Sequence, residues 1–110
     1  MKSIAILGAG TWGIALAKML KNTGKQVTVW SALPNEIEEL KKTNIHPKLP
    51  NVKLPLGIDY TADLEEALND KDIIMFAVPS VFVRDTAKKC KNYIKDNQII
   101  VYVAKGIERD

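Results

Sequence analysis

The residues with the clearest chemical meaning are three glycines near the start of the chain. Residues 8–13 read Gly-Ala-Gly-Thr-Trp-Gly, a G-x-G-x-x-G pattern between an apolar run and a helix-like segment. In such a turn Gly8 permits a tight bend, Gly10 presents no Cβ to a phosphate, and Gly13 lets the helix pack closely on the sheet. The pattern predicts a turn that binds the pyrophosphate of a dinucleotide. An incidental glycine turn in another α/β protein is the alternative.

The end of the second predicted strand is the usual place for an acid that binds the adenosine ribose. Residues 30–33 read Trp-Ser-Ala-Leu, with neither a carboxylate suited to NAD nor an arginine suited to the 2′-phosphate of NADP. Ser31 can hydrogen-bond either group, and Glu36 lies late, within the next predicted helix. The sequence leaves the preference between NAD and NADP open, although lack of a carboxylate removes the usual repulsion of NADP.

Two more candidates follow the fourth and fifth predicted strands. Pro79 and Ser80 turn the chain at the crevice where open α/β sheets bind ligands, and Ser80 can also cap the following helix. Lys105 follows the fifth strand, where an ammonium can contact a cofactor or substrate oxygen, and Gly106 permits close backbone approach. A solvated surface lysine is the alternative for Lys105.

Other reactive residue types receive no catalytic assignment. His46 lies in a proline-rich connection without an orienting carboxylate, so we expect a surface histidine. Cys90 follows two lysines that could lower its pKa, but no base or second thiol accompanies it, so we expect a structural thiol. The sequence contains no pattern typical of a metal site.

The elements that must position these residues alternate between strands and helices. The patterns predict strands over residues 2–7, 26–30, 57–60, 72–78 and 98–104, and helices over residues 11–22, 34–42, 63–69 and 81–93. Residues 43–56, with three prolines, are expected to form a surface connection. This alternation predicts an α/β fold, a Rossmann-like doubly wound parallel sheet in three layers with strand order 3-2-1-4-5.

Composition supports one globular domain. The chain has 110 residues, of which 46% are hydrophobic and 26% charged, and its net charge of +3 suits an anionic small molecule without predicting a nucleic-acid partner. The longest apolar run is too short for a membrane span. A single cysteine excludes an internal disulfide, and the N-terminus has no signal-peptide pattern, so we expect a cytoplasmic protein.

Four segments together resemble the bacterial NAD(P)-dependent glycerol-3-phosphate dehydrogenases. Residues 8–17 are similar to the GAGSWGTALA opening of that family, and residues 46–55, His-Pro-Lys-Leu-Pro-Asn-Val-Lys-Leu-Pro, are similar to its NPRYLPGVKLP segment. Residues 77–80, Ala-Val-Pro-Ser, and 105–108, Lys-Gly-Ile-Glu, agree in the same order. The family often has a basic residue where Ala32 or Leu33 stands, and the tyrosine of its YLP segment is missing here.

The resemblance implies reversible hydride transfer between NAD or NADP and sn-glycerol 3-phosphate, with dihydroxyacetone phosphate as the ketone, in the supply of glycerophospholipid precursors. It implies that Thr11 and Trp12 contact the cofactor and that Lys105, beside Gly106, contacts both cofactor and substrate. A full-length enzyme that can be a homodimer is also implied.

Members of that family continue into a helical domain that supplies the principal proton-transferring lysine. We therefore expect residues 1–110 to be the NAD(P)-binding Rossmann domain alone, a fragment that binds cofactor without substantial turnover. Three alternatives stay open: another dehydrogenase such as a 6-phosphogluconate or ketopantoate reductase relative, a non-catalytic NAD(H)-binding module, and a methyl-donor-binding domain.

Overall fold

The computed structural model describes residues 2–45, 53–78 and 80–103. Strands and helices alternate along this part of the chain. In chain order the elements are β1 (Ser3–Leu7), α1 (Thr11–Asn22), β2 (Gln26–Trp30), α2 (Pro34–Thr43), β3 (Asp59–Thr61), α3 (Leu64–Leu68), β4 (Ile73–Phe76), α4 (Ser80–Cys90) and β5 (Ile99–Tyr102).

The strands form one five-stranded parallel sheet in the order β3-β2-β1-β4-β5. This is the predicted order. The chain first builds outward from β1 through β2 to β3, then returns to the other side of β1 with β4. Leu7, the last residue of β1, is level with Trp30 of β2 and with Phe76 of β4. The strand order therefore reverses at the end of β1, which is where open α/β sheets bind ligands.

Successive strand residues point to opposite sides of the sheet, so apolar side chains lie on both faces. Helices cover both of these faces. Ile4 and Ile6 of β1 belong to a core that includes residues of α1 and α2. Ala5 and Leu7 belong to a second core with residues of α3 and α4. Both faces of β1 are thus buried, as in other parallel sheets with helices on each side. The predicted three-layer arrangement is confirmed.

The first helix faces the sheet with Ile14 and two small residues, and two of its largest side chains lie outside this buried face. Gly13, Ile14 and Ala17 are its buried residues, whereas Trp12 and Met19 are exposed, although both follow the helical apolar spacing of the sequence. Small side chains bring the helix axis closer to the sheet, and that orientation leaves the bulky side chains of α1 at its margin. In α2, Ile37 and Leu40 form the buried face.

The bounds of four strands and three helices differ from the predicted ones, mostly by one or two residues. Strand β3 begins at Asp59 and includes Thr61, β4 and β5 are shorter than expected, and α4 ends at Cys90 rather than at residue 93. Residues after Cys90 form turns in which the N–H groups of Tyr93 and Ile94 both donate to the Cys90 carbonyl.

The connection between α2 and β3 is organised around Asn44. This residue ends α2 in the left-handed conformation with φ 59°, a position that asparagine tolerates well. Its side chain donates to the Leu54 carbonyl at 2.8 Å, and its own carbonyl accepts from the Leu54 N–H at 2.9 Å. The family-like segment 46–55 falls largely on residues 46–52, which lie outside the described residues.

None of the helices in the described part of the chain combines the length and the hydropathy that a membrane crossing needs.

Candidate functional site

The turn after β1 is built on a glycine that no other residue can replace without strain. Gly8 has φ +131°, and a Cβ added there would lie 2.7 Å from the backbone oxygen of Ala77. The Gly8 N–H donates to the Trp30 carbonyl at 2.8 Å, and the Ala77 N–H donates to the Leu7 carbonyl at 2.9 Å. These contacts hold the turn against the ends of both β2 and β4, at the point where the strand order reverses.

Gly10 differs from Gly8 because its backbone conformation is ordinary. It is the N-cap of α1 with φ −73° and ψ −178°, and an added Cβ would meet no protein atom within 4 Å. The protein itself therefore does not need glycine at this position. An exposed glycine facing open space is what close approach of a ligand would require.

The start of α1 has the properties of an anion site. Its N-cap residue has no side chain to satisfy the first-turn N–H groups, and its first turn contains no acidic residue. These N–H groups and the helix dipole favour a negative group at this end. The first turn carries Thr11, which is half-buried, and Trp12, which is 39% exposed. The cradle fits the pyrophosphate of a dinucleotide, which Gly10 leaves room to approach.

Gly13 completes the glycine pattern from inside the fold. It is buried, and a Cβ there would overlap the carbonyl oxygen of Gly8. Gly13 thus lets the first turn of α1 lie directly against the Gly8 turn. The three glycines are not equivalent, since Gly8 and Gly13 are needed by the fold itself and Gly10 is not.

At the end of β2 the structure adds Glu36, a residue that the sequence alone did not place in the site. Ser31 is buried, and its hydroxyl donates to Oε1 of Glu36 at 2.6 Å while accepting the Leu33 N–H at 3.1 Å. Glu36 does lie in α2, as predicted, but its carboxyl group is held at the strand end beside Ser31. Residues 30–33 themselves carry no carboxylate, but this hydrogen bond brings one to the strand end, a contact that the sequence did not predict. The signal in the sequence is a serine at a strand end followed five residues later by glutamate.

The remaining predicted site residues are not described. Pro79, Lys105 and Gly106 lie outside the described residues, as does His46. For Ser80 the structure gives its position as the first residue of α4. The predicted roles of these residues stay predictions.

Cys90 has the properties of a core residue. It is fully buried in the core between the sheet and helices α3 and α4, and burial raises the pKa of its thiol to about 11. A thiol with so high a pKa is a poor nucleophile at neutral pH. The structural interpretation of this cysteine agrees with its surroundings. In the described ranges, no group of three or more His, Cys, Asp and Glu residues could hold a metal ion.

A cavity of about 710 Å³ lies elsewhere, at the β3 edge of the sheet. Its lining contains lysines from several elements together with Asp59 and Glu66, and none of the residues of the glycine turn. Burial raises the pKa of Tyr60, another lining residue, to about 12, and its hydroxyl donates to Asn44. Because this cavity contains no glycine-rich turn and no exposed helix start, we place the functional site at the glycine turn.

The fold and the glycine turn together define a class of protein, the dinucleotide-binding α/β domains. The family model described as NAD-dependent glycerol-3-phosphate dehydrogenase N-terminus matches residues 3–110. The chain belongs to this family.

Curated relatives agree with the family match. The chain is 58% identical over 110 residues to glycerol-3-phosphate dehydrogenase (NAD(P)+) 2 of Lactobacillus delbrueckii subsp. bulgaricus, covering 100% of this chain and 33% of the relative. It is 50% identical over 111 residues to glycerol-3-phosphate dehydrogenase (NAD(P)+) of Agathobacter rectalis, again covering 100% of this chain and 33% of the relative. The chain therefore spans about a third of the length of the curated relatives it matches.

A solved structure supports the same relationship. The crystal structure of glycerol-3-phosphate dehydrogenase from Coxiella burnetii superimposes with a TM-score of 0.88 at 31% sequence identity, covering 96% of this chain and 33% of that chain.

Proposed function

We propose that this chain is the nicotinamide-dinucleotide-binding domain of an oxidoreductase that interconverts sn-glycerol 3-phosphate and dihydroxyacetone phosphate. The observation that carries the proposal is the glycine turn at the end of β1. There Gly10 leaves an open approach to the uncapped start of α1, in a chain of the glycerol-3-phosphate dehydrogenase family. When bound, a nicotinamide cofactor supplies or accepts the hydride.

The role of the chain's own residues in this proposal is to bind and orient the cofactor. Gly8 and Gly13 shape the turn, and the N–H groups after Gly10 stabilise the pyrophosphate. Thr11 and Trp12 provide the side chains at the helix start, and Ser31 stands at the ribose end. Pro79 at the crevice, and Lys105 with Gly106 as cofactor and substrate contacts, belong to the proposal through the resemblance alone.

In this proposal residues 1–110 form one cofactor-binding domain, and the other substrate-binding and proton-transferring groups belong to parts of the enzyme outside this chain. It includes a cytoplasmic location, a place in glycerophospholipid precursor synthesis and a homodimeric full-length enzyme, all of which the resemblance implies.

The test has a binding step and an activity step. Calorimetric titration of the chain with NADH, NADPH and S-adenosylmethionine should show binding of a nicotinamide dinucleotide and none of the methyl donor. The enzyme that carries this chain at its natural length should oxidise NADH or NADPH when dihydroxyacetone phosphate is added and not when ketopantoate is added. It should not reduce NAD+ or NADP+ when 6-phosphogluconate is added. Preference for S-adenosylmethionine would refute the proposal. Dinucleotide binding without any turnover at natural length would instead support a non-catalytic NAD(H)-binding module.

A further inference from the structure

A short series of contacts links the carboxyl group of Glu36 to the glycine turn. Gly8 donates to the carbonyl of Trp30, and Ser31 is the next residue after Trp30. The hydroxyl of Ser31 then donates to Glu36 at 2.6 Å. Glu36 is half-buried, so this side chain is held in place while remaining accessible to a ligand.

The hydrogen bonds of Ser31 determine what the strand end can offer. A serine hydroxyl has one proton to donate, and here that proton goes to Glu36. The hydroxyl oxygen also accepts the Leu33 N–H at 3.1 Å. Ser31 and Glu36 together therefore present hydrogen-bond acceptors and a negative charge. Such a pair suits the hydroxyl groups of a ribose, which donate, and repels a 2′-phosphate, which also presents acceptors and negative charge.

In the segment from Ser31 to Thr43, the lysines that could offset the charge of Glu36 lie far from it along α2. The two residues after Ser31 are Ala32 and Leu33, and the Leu33 side chain is 61% exposed. The lysines of α2, Lys41 and Lys42, lie in its last turn, at the opposite end of the helix from Glu36.

The same hydrogen-bond pattern occurs at the end of β3, where it caps the start of helix α3. Thr61 donates to Oε1 of Glu66 at 3.0 Å and accepts the Asp63 N–H at 3.0 Å. In both places a strand-end hydroxyl links the N-cap N–H of a helix to a glutamate in its first turn, a relayed form of the capping box. The two pairs differ in position, since β3 lies at the sheet edge and only β2 is next to the glycine turn.

We propose that Glu36, positioned by Ser31, contacts the adenosine ribose and makes this chain prefer NAD(H) to NADP(H). This inference rests on the proposed function, because it concerns the same cofactor site. Glu36 is the specificity-determining residue and Ser31 its positioning residue.

The experiment compares the affinities of the chain for NADH and NADPH by calorimetry. The wild-type chain should bind NADH more tightly by about tenfold, the size expected for one partly solvated charge repulsion. Glu36→Gln keeps the shape and an acceptor but removes the charge, so NADPH affinity should rise about tenfold while NADH affinity changes less than about threefold.

Two further variants separate selectivity from folding. Glu66→Gln removes the same charge from the equivalent pair at β3, and the ratio of the two affinities should stay at the wild-type value. Ser31→Ala should lower the ratio, and Ser31→Thr, which keeps the hydroxyl as Thr61 does, should restore it. Thermal unfolding of each variant provides a check that the fold is intact, because a merely structural pair would change stability without changing the ratio.

The outcomes distinguish this inference from the proposed function. Equal affinities in the wild-type chain, a preference for NADPH, or a ratio that Glu36→Gln leaves unchanged would overturn the inference while leaving dinucleotide binding in place. An equal change of the ratio in Glu66→Gln would also overturn it. Failure of every variant and of the wild-type chain to bind either dinucleotide would overturn the proposed function and this inference together.

Discussion

Substitution of Gly10 by aspartate should strengthen the fold while weakening dinucleotide binding. The position accepts a side chain, because its φ of −73° is ordinary and an added Cβ meets nothing within 4 Å. Aspartate is a preferred N-cap residue, and it stabilises a helix by roughly a few tenths of a kcal/mol more than glycine does. Its charge also interacts favourably with a helix start whose first turn contains no acidic residue.

The expected gain in stability is the sum of small terms. Replacing glycine where the conformation is compatible adds about 0.4–1 kcal/mol by restricting the unfolded chain. With the capping and dipole terms, Gly10→Asp should raise the free energy of unfolding by about 1 kcal/mol, which corresponds to a Tm increase of about 4 °C for a domain of this size.

The effect on binding has the opposite sign. The new carboxylate would occupy the approach to the first-turn N–H groups and repel a pyrophosphate by about 4 kcal/mol at a separation of about 4 Å in a partly solvated site. If half of this repulsion is realised, the Kd for NADH should rise at least about 30-fold.

Calorimetry with NADH and thermal unfolding by circular dichroism measure the two effects on the same samples. Ala15→Asp is the matched control, because Ala15 is exposed on the next turn of α1 and receives the same charge. Its Kd should change less than about threefold, since an exposed charge is screened by solvent and salt. Unchanged NADH binding by a folded Gly10→Asp protein would refute the assignment of the site to this turn.

Three further predictions concern the fold that supports the site. Gly8→Ala places a Cβ against the Ala77 backbone at φ +131°, so urea denaturation should show a loss of at least about 3 kcal/mol, and a loss under about 1 kcal/mol would contradict the geometry. Cys90, whose pKa burial raises to about 11, should react with an aromatic disulfide reagent at pH 8 at least about 100-fold more slowly in the native than in the denatured protein, and similar rates would show that the thiol is accessible. The pKa of Asp72 is lowered from 3.8, chiefly by the hydrogen bond from the Ser3 N–H, so this carboxylate stabilises the fold above about pH 4 and the contribution disappears as the pH falls through the lowered pKa. Denaturation curves should accordingly show Asp72→Asn less stable than wild type at pH 7, with a difference that shrinks in acid; a difference independent of pH would count against this pairing.

The sequence was sufficient for the sheet order and for the elements around the glycine turn. The bounds of α1 and β2 match the predicted ones, because Gly10 and Gly24 mark the two ends of α1 and β-branched residues define β2. Parallel pairing then follows from the alternation of strands and helices and from the preference for right-handed crossovers. These signals are local, and each lies within a few residues of the element that it specifies.

Features that depend on packing were harder to predict. The apolar spacing of α1 includes Trp12 and Met19, but close packing through Gly13 and Ala17 determines which side faces the sheet. The short β3 has only three residues, too few for a period to locate its ends.

The Glu36 contact escaped prediction because it depends on how a strand end meets the following helix. Sequence distance suggested that a glutamate inside α2 was too far along to serve the end of β2. The Ser31 hydroxyl bridges that interval, and the equivalent pair of Thr61 and Glu66 shows that the same spacing produces the same contact twice. In this chain, a hydroxyl residue at a strand end followed five residues later by glutamate is therefore the signal that marks this contact.

The most direct test of the central claim is to map NADH onto the chain by amide chemical-shift changes in solution. Binding at the proposed site predicts that the largest changes fall on residues 8–13, with a second group on residues 31–36. Changes concentrated instead around the β3-edge cavity, at residues such as Lys41, Lys53 and Tyr60, would show that the dinucleotide binds outside the glycine turn.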